Sequence, residues 1–169
     1  GRAACHAALV HIGFPKPPPI LKGPHNEPLW PTGIIGAVSH TAGIAVCAVC
    51  SRDKANGIGI DIEEIPQDID QNIMTLVCTP AETAWVDRDP SRFAMVFSAK
   101  EAAFKAFFPS APSFHDFLDA TLAWDATRMS FLGTLLKGIG DSFPAGYRFE
   151  VGSQHVGDLI FSHILMPAR

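Results

Sequence analysis

Seven prolines stand between positions 15 and 31: Pro15, Pro17, Pro18, Pro19, Pro24, Pro28 and Pro31. Proline fixes φ and has no N–H to donate, so neither a helix nor a central strand can cross this stretch. Residues 14–33 therefore read as a loop, long for a compact domain and of the kind that carries function. Ahead of it, residues 1–10 are Ala-rich and helix-prone, and the helix is expected to begin before Gly1. Behind it, residues 34–40 and 44–50 read as strands around the turn Thr41-Ala42-Gly43, and residues 57–63 (GIGIDIE) as a third. Thr79-Pro80-Ala81-Glu82 is a capping box with Pro at the first helical position, so a helix should start at Pro80. Residues 91–108 hold no internal Gly or Pro and predict the longest helix, stopped by Pro109. Residues 118–124, 147–151 and 158–165 read as strands of a second sheet. The order predicts an α+β fold with mostly antiparallel sheet.

Charge excludes one class of function. Seventeen acids against thirteen Lys and Arg give a net charge of −4, which offers no basic field for bulk nucleic-acid binding. A phosphate ligand must be gripped by a few placed cations. No apolar run reaches the ~20 residues that a membrane helix needs, and no signal peptide is visible. Cys5, Cys47, Cys50 and Cys78 are expected to be reduced, as in a cytoplasmic protein. Cys47 and Cys50 lie three apart on a strand and so point to opposite faces, which argues against a zinc pair.

The acids carry the chemistry. On the third strand Asp61 and Glu63 share one face, with Ile58, Ile60 and Ile62 on the other. Two carboxylates on one face can bind one cation; alternatively they are solvated acids at a strand end. Glu101 and Lys105 are i, i+4 in the long helix, among Phe93, Val96, Phe97, Phe104, Phe107 and Phe108. They form either a surface ion pair of small value or, with Lys100, the rim of a pocket for a cation and an anion together. Three carboxylates suit Mg²⁺, with waters and a substrate phosphate completing its octahedron. Two lysines would neutralise that phosphate. His40 ends its strand downstream of Lys22; it is either a packed histidine or half of a phosphate clamp.

Three blocks together resemble the 4′-phosphopantetheinyl transferases, of the branch that serves siderophore and polyketide synthesis. They are Ile20-Leu21-Lys22-Gly23 with Glu27-Pro28-Leu29-Trp30-Pro31 and Gly36-Ala37-Val38-Ser39-His40; then Gly59-Ile60-Asp61-Ile62-Glu63; then Phe97-Ser98-Ala99-Lys100-Glu101-Ala102-Ala103-Phe104-Lys105-Ala106. The resemblance implies two similar α/β halves packed pseudo-symmetrically, residues 1–64 and 65–169, with coenzyme A in the cleft between them. It implies Mg²⁺ on Asp61, Glu63 and Glu101, and Lys100 and Lys105 on the pyrophosphate. It puts His40 and Lys22 on the 3′-phosphate, with Ser39 and Arg2 also binding coenzyme A. The implied reaction moves phosphopantetheine to a serine of an apo acyl, polyketide or peptidyl carrier protein and releases 3′,5′-ADP, in a monomer. Glu101 or a metal-bound water would be the base. Ala37, Phe97, Ala102 and His6 depart from the usual residues; His6 stands near a frequent second arginine of the nucleotide grip.

Two alternatives remain from sequence: a metal-dependent nucleotide pyrophosphate hydrolase, and a non-catalytic coenzyme A binder. Residues 65–77 are expected to face the carrier. There Ile69, Ile73 and Leu76 fall on one helical face and are expected to pack on the core, leaving Met74 exposed to the partner.

Overall fold

The computed structural model describes residues 1–41, 43–110, 116–140 and 142–168. In chain order the elements are α1 (Arg2–His11), β1 (Leu21–Lys22), β2 (Pro28–Leu29), β3 (Ile34–Thr41), β4 (Ile44–Ser51), β5 (Ala55–Glu64), α2 (Gln71–Val77), α3 (Pro80–Val86), α4 (Pro90–Phe107), a 3₁₀ turn η1 (Phe117–Asp119), β6 (Ala120–Asp125), β7 (Ser130–Leu135), β8 (Arg148–Val156) and β9 (Leu159–Pro167). This is an α+β fold. Ala42 of the expected turn lies outside the described residues.

All strand pairs are antiparallel: β1 with β2, β3 with β4, and a five-stranded sheet in the order β5-β9-β8-β7-β6. β5 precedes the expected join at residue 64, yet its hydrogen-bonded neighbour is β9, with Asp61 opposite Ser162 and Glu63 opposite Ile160. The β3–β4 ribbon runs beside β5 on the other flank, where Ser39 and Thr41 hydrogen-bond to Asp61 and Glu64. Buried apolar side chains form one large cluster under α2, α3 and α4, built with Phe131, Val151, Ile160 and Ile164 of the sheet. Ile34, Ile35, Ala37, Ile60 and Ile62 are buried outside that cluster, together with Cys5 and Leu9 of α1. α1 packs on β4.

The capping box forms as read: Thr79 Oγ1 accepts from the Glu82 N–H, and Glu82 Oε2 accepts from the Thr79 N–H. α4 begins one residue before the expected start, capped by Asp89, whose carboxylate accepts from the N–H groups of Ser91 and Arg92. α2 reverses an expectation. Met74 and Val77 are its buried residues, whereas Ile73 is 48 % and Leu76 66 % exposed. The correction is geometric: the stripe that meets the core cluster runs through positions 74 and 77, three apart, and turns Ile73 and Leu76 to solvent. The four cysteines are free thiols, and burial with the neighbouring Cys5 pushes the Cys47 thiol up. Among the described residues no helix is long and apolar enough to cross a membrane.

Candidate active site

Two glycines let the site exist. A Cβ on Gly59 would strike the carbonyl oxygen of Ala102, and one on Gly57 would strike that of Ala106. Without side chains there, β5 lies directly against α4. Strand alternation then turns Asp61 and Glu63 to the same side, toward the helix surface that bears Glu101 and Lys105. Ile60 and Ile62 face away and are buried, as the spacing predicts.

Asp61 is 1 % exposed. Its Oδ1 accepts from Lys105 Nζ at 2.7 Å and from the Ser39 hydroxyl at 2.8 Å. Its Oδ2 is buried with no hydrogen-bond partner among the described residues. Glu63 is pushed up to about 7 by burial, then by the charges of Asp61 and Glu101, against the pull of Lys105. Burial likewise raises Glu101; Lys105 opposes the shift and Asp61 adds to it. The charge of Asp61 thus reaches both Glu63 and Glu101, Lys105 opposes both shifts, and Asp61 itself keeps an orphaned carboxylate oxygen. An unpartnered buried oxygen and unbalanced negative charge fit a hard divalent cation in charge and donor type. Among the described residues no group of three His, Cys, Asp or Glu side chains stands as a ready ligand set. Lys105 holds Asp61 in its place. Its ammonium also donates to Ile60 O at 3.3 Å, which leaves one of three N–H donors for an anion.

Two of the expected coenzyme A contacts have partners within the protein. Lys100, expected on the pyrophosphate, is 4 % exposed and ion-paired with Glu82 at 2.8 Å. It also donates to the carbonyls of Val77, Phe117 and Ala120 at 2.8, 2.8 and 3.0 Å. One residue along a helix is a turn of about 100°, so Lys100 leaves the face shared by Glu101 and Lys105. Ser39, expected among the coenzyme A contacts, is buried and donates its hydroxyl to Asp61. His40, the next residue on β3, points the other way and is exposed. A Cβ on Gly1 would sit 3.7 Å from His40 Cδ2, so the residue that precedes α1 lies beside His40; Arg2 is exposed. Lys22 is exposed on β1, opposite Pro28. A cavity of about 130 Å³ opens beside Glu101, walled by Lys100, Phe104, Phe117, Leu122 and Phe149.

Comparison with known families bears on this arrangement. The sequence model of the 4′-phosphopantetheinyl transferase superfamily matches residues 57–158, and that of the 4′-phosphopantetheinyl transferase N-terminal domain matches residues 1–50. The chain belongs to this superfamily. It is 35 % identical over 143 residues to the 4′-phosphopantetheinyl transferase PptT of Mycobacterium tuberculosis, covering 82 % of this chain and 62 % of the relative. It is 33 % identical over 141 residues to the 4′-phosphopantetheinyl transferase Svp of Streptomyces mobaraensis (80 % and 56 % covered). It is 38 % identical over 115 residues to enterobactin synthase component D of Escherichia coli (63 % and 51 %). The chain thus spans roughly half to three fifths of the length of these relatives. In fold it is similar to the holo-[acyl-carrier-protein] synthase of Helicobacter pylori, crystallised with coenzyme A, at a TM-score of 0.52 and 23 % identity, covering 66 % of this chain and 99 % of that one.

Around this site, sequence reading misses the role of Glu82, which reads only as a helix cap. A signal is present for its partner. Phe93, Val96, Lys100, Ala103 and Phe107 recur at helical spacing and are all buried, so Lys100 occupies a core position of α4. A lysine there must find a buried partner.

Proposed function

We propose that this protein transfers 4′-phosphopantetheine from coenzyme A to a serine hydroxyl of an acyl or peptidyl carrier protein, with release of 3′,5′-ADP. The observation that carries the reading is the Asp61–Lys105 ion pair that joins β5 to α4, with a spare acceptor on Asp61 and a spare donor on Lys105. Asp61, Glu63 and Glu101 would hold Mg²⁺, which when bound supplies charge neutralisation and polarisation at the pyrophosphate. Lys105 gives its remaining N–H to a phosphoryl oxygen and stabilises the charge that grows there. Ser39 keeps the Asp61 carboxylate in one rotamer. Glu101 accepts the proton of the attacking serine. The bond from phosphorus to the bridging oxygen on the nucleotide side breaks as the serine oxygen bonds to phosphorus. His40, Arg2 and Lys22 grip the 3′-phosphate, away from the reacting centre. The cavity beside Glu101, mostly apolar, receives the arm that is transferred. This division puts the adenosine end on residues 1–64 and the reacting end against α4.

The test is mass spectrometry of an apo carrier protein incubated with coenzyme A and Mg²⁺. The carrier gains one phosphopantetheine with wild type, and Glu101→Gln slows the gain by on the order of 10²-fold or more. Release of 3′,5′-ADP without any carrier would replace this reading with a hydrolase.

A further inference from the structure

Lys100 and Glu82 are buried ionic groups that the transfer chemistry does not use. Together they bind five elements. Lys100 Nζ from α4 meets Val77 O at the end of α2, Glu82 Oε2 on α3, Phe117 O on η1 and Ala120 O on β6. Glu82 returns the link: its Oε1 accepts from the Leu122 N–H at 2.7 Å and its Oε2 from the Thr79 N–H at 2.6 Å. Phe117, Ala120 and Leu122 wall the cavity together with Glu101 and Phe104 of α4. The ion pair therefore fastens one wall of that cavity to the helix that carries the other wall. An ammonium has three donors, and four acceptors converge on this one, so its position is fixed from every side.

We propose that Lys100 and Glu82 are positioning residues: they set the width of the cavity beside Glu101 and the rotation of α4 that aims Glu101 at its substrate, without touching phosphate. The proposal rests on the transferase reading. It differs from a phosphate-binding role in what it leaves alone. Binding of coenzyme A through Lys105, His40, Arg2 and Lys22 persists when the pair is altered, while the reacting groups lose their alignment, and small misalignments slow chemistry severely.

The experiment compares wild type with Lys100→Arg and with Lys100→Met/Glu82→Gln. Arginine keeps the charge, but its planar fork cannot present donors to the same four acceptors. The double variant removes both charges, so no lone buried ion remains. Coenzyme A affinity is read by calorimetry, kcat and KM by carrier labelling, and folding by circular dichroism. The expected result is a fall in kcat of tenfold or more, with Kd and KM for coenzyme A within twofold, in folded protein. A tenfold loss of coenzyme A affinity overturns the proposal, because Lys100 then holds phosphate. Unchanged kcat and KM overturn it as well, because the pair is then scaffold alone, and so does failure of both variants to fold. A wild type that labels no carrier sinks the transferase reading itself; a wild type that labels, with Lys100→Arg indistinguishable from it, sinks only this inference.

Discussion

Glu63 is the residue at which burial and neighbouring negative charge act in the same direction. Its carboxyl is moved from an ordinary 4.5 to about 7, first by burial and then by Asp61 and Glu101. A folded-state pKa raised above the unfolded one means that the native protein holds the proton longer. Below about 4.5 both states are protonated and the site costs nothing. Between 4.5 and 7 the unfolded chain releases its proton first, so stability falls as pH rises, and above about 7 the full cost is present. Without divalent cation, the thermal midpoint of wild type should therefore decline across this window relative to Glu63→Gln. At pH 7.5, Mg²⁺ should raise the midpoint of wild type more than that of the variant. Thermal unfolding followed at a series of pH values checks both statements, and parallel curves for the two proteins would remove Glu63 from the cluster. At this scale the sequence puts Asp61 with Glu63 on one strand face and Glu101 with Lys105 on one helix face by periodicity, but not the meeting of those faces, since Asp61 and Lys105 lie 44 positions apart. It is a poor guide to Lys100 and Ser39. Their partners lie 18 and 22 positions away in the chain, and no local period encodes such a pairing.

Among the elements, α4 and β5 decide the site, and their junction depends on missing side chains. Gly57 and Gly59 admit the helix backbone at a separation that no Cβ would tolerate. Gly59→Ala should push β5 off α4, with an overpacking cost of about 1–3 kcal/mol in denaturant unfolding. It should also part Asp61 from Lys105, weakening coenzyme A binding together with stability. An alanine variant with wild-type stability would show that the junction is loose. Both elements are legible in the sequence, α4 from its uninterrupted helical run and β5 from three isoleucines in alternation. β7 is not. In Ser130–Leu135 the inward series is Phe131, Gly133 and Leu135, and the glycine breaks the apolar alternation that marks a strand. The structure fills that gap from the next strand, since the ring of Phe149, opposite Gly133, stands where a Cβ would be. β8 is longer than its sequence pattern for a related reason: beyond Val151 it continues as Gly152, Ser153, Gln154, His155 and Val156, and pairing with β9 rather than side-chain pattern holds it extended.

For the molecule as a whole, the proposed transfer requires a surface for the second protein next to the cavity, and the exposed side chains of α2 and η1 are the ones to test. Ile73 and Leu76 are exposed, Leu118 on η1 is 39 % exposed, and α2 contacts η1, whose Phe117 walls the cavity beside Glu101. The sequence pattern points instead to Met74 as the partner-facing residue, but Met74 is 6 % exposed and belongs to the core. Met74→Glu would bury a charge and unfold the region, so it cannot report on docking. Leu76→Glu can: at 66 % exposure the side chain contributes little to the fold, and the change leaves Met74 and Val77 in place. Removing apolar surface from the carrier interface, while setting a carboxylate against an acidic carrier, acts on association alone. KM for the carrier should rise about fivefold or more, equivalent to about 1 kcal/mol, with kcat at saturating carrier and coenzyme A affinity unchanged. Raising the ionic strength should recover part of the loss, because the repulsive share is screened while the apolar share is not. Steady-state labelling across a carrier titration, at two salt concentrations, reads all of this. A carrier KM within twofold of wild type would move the docking surface away from α2.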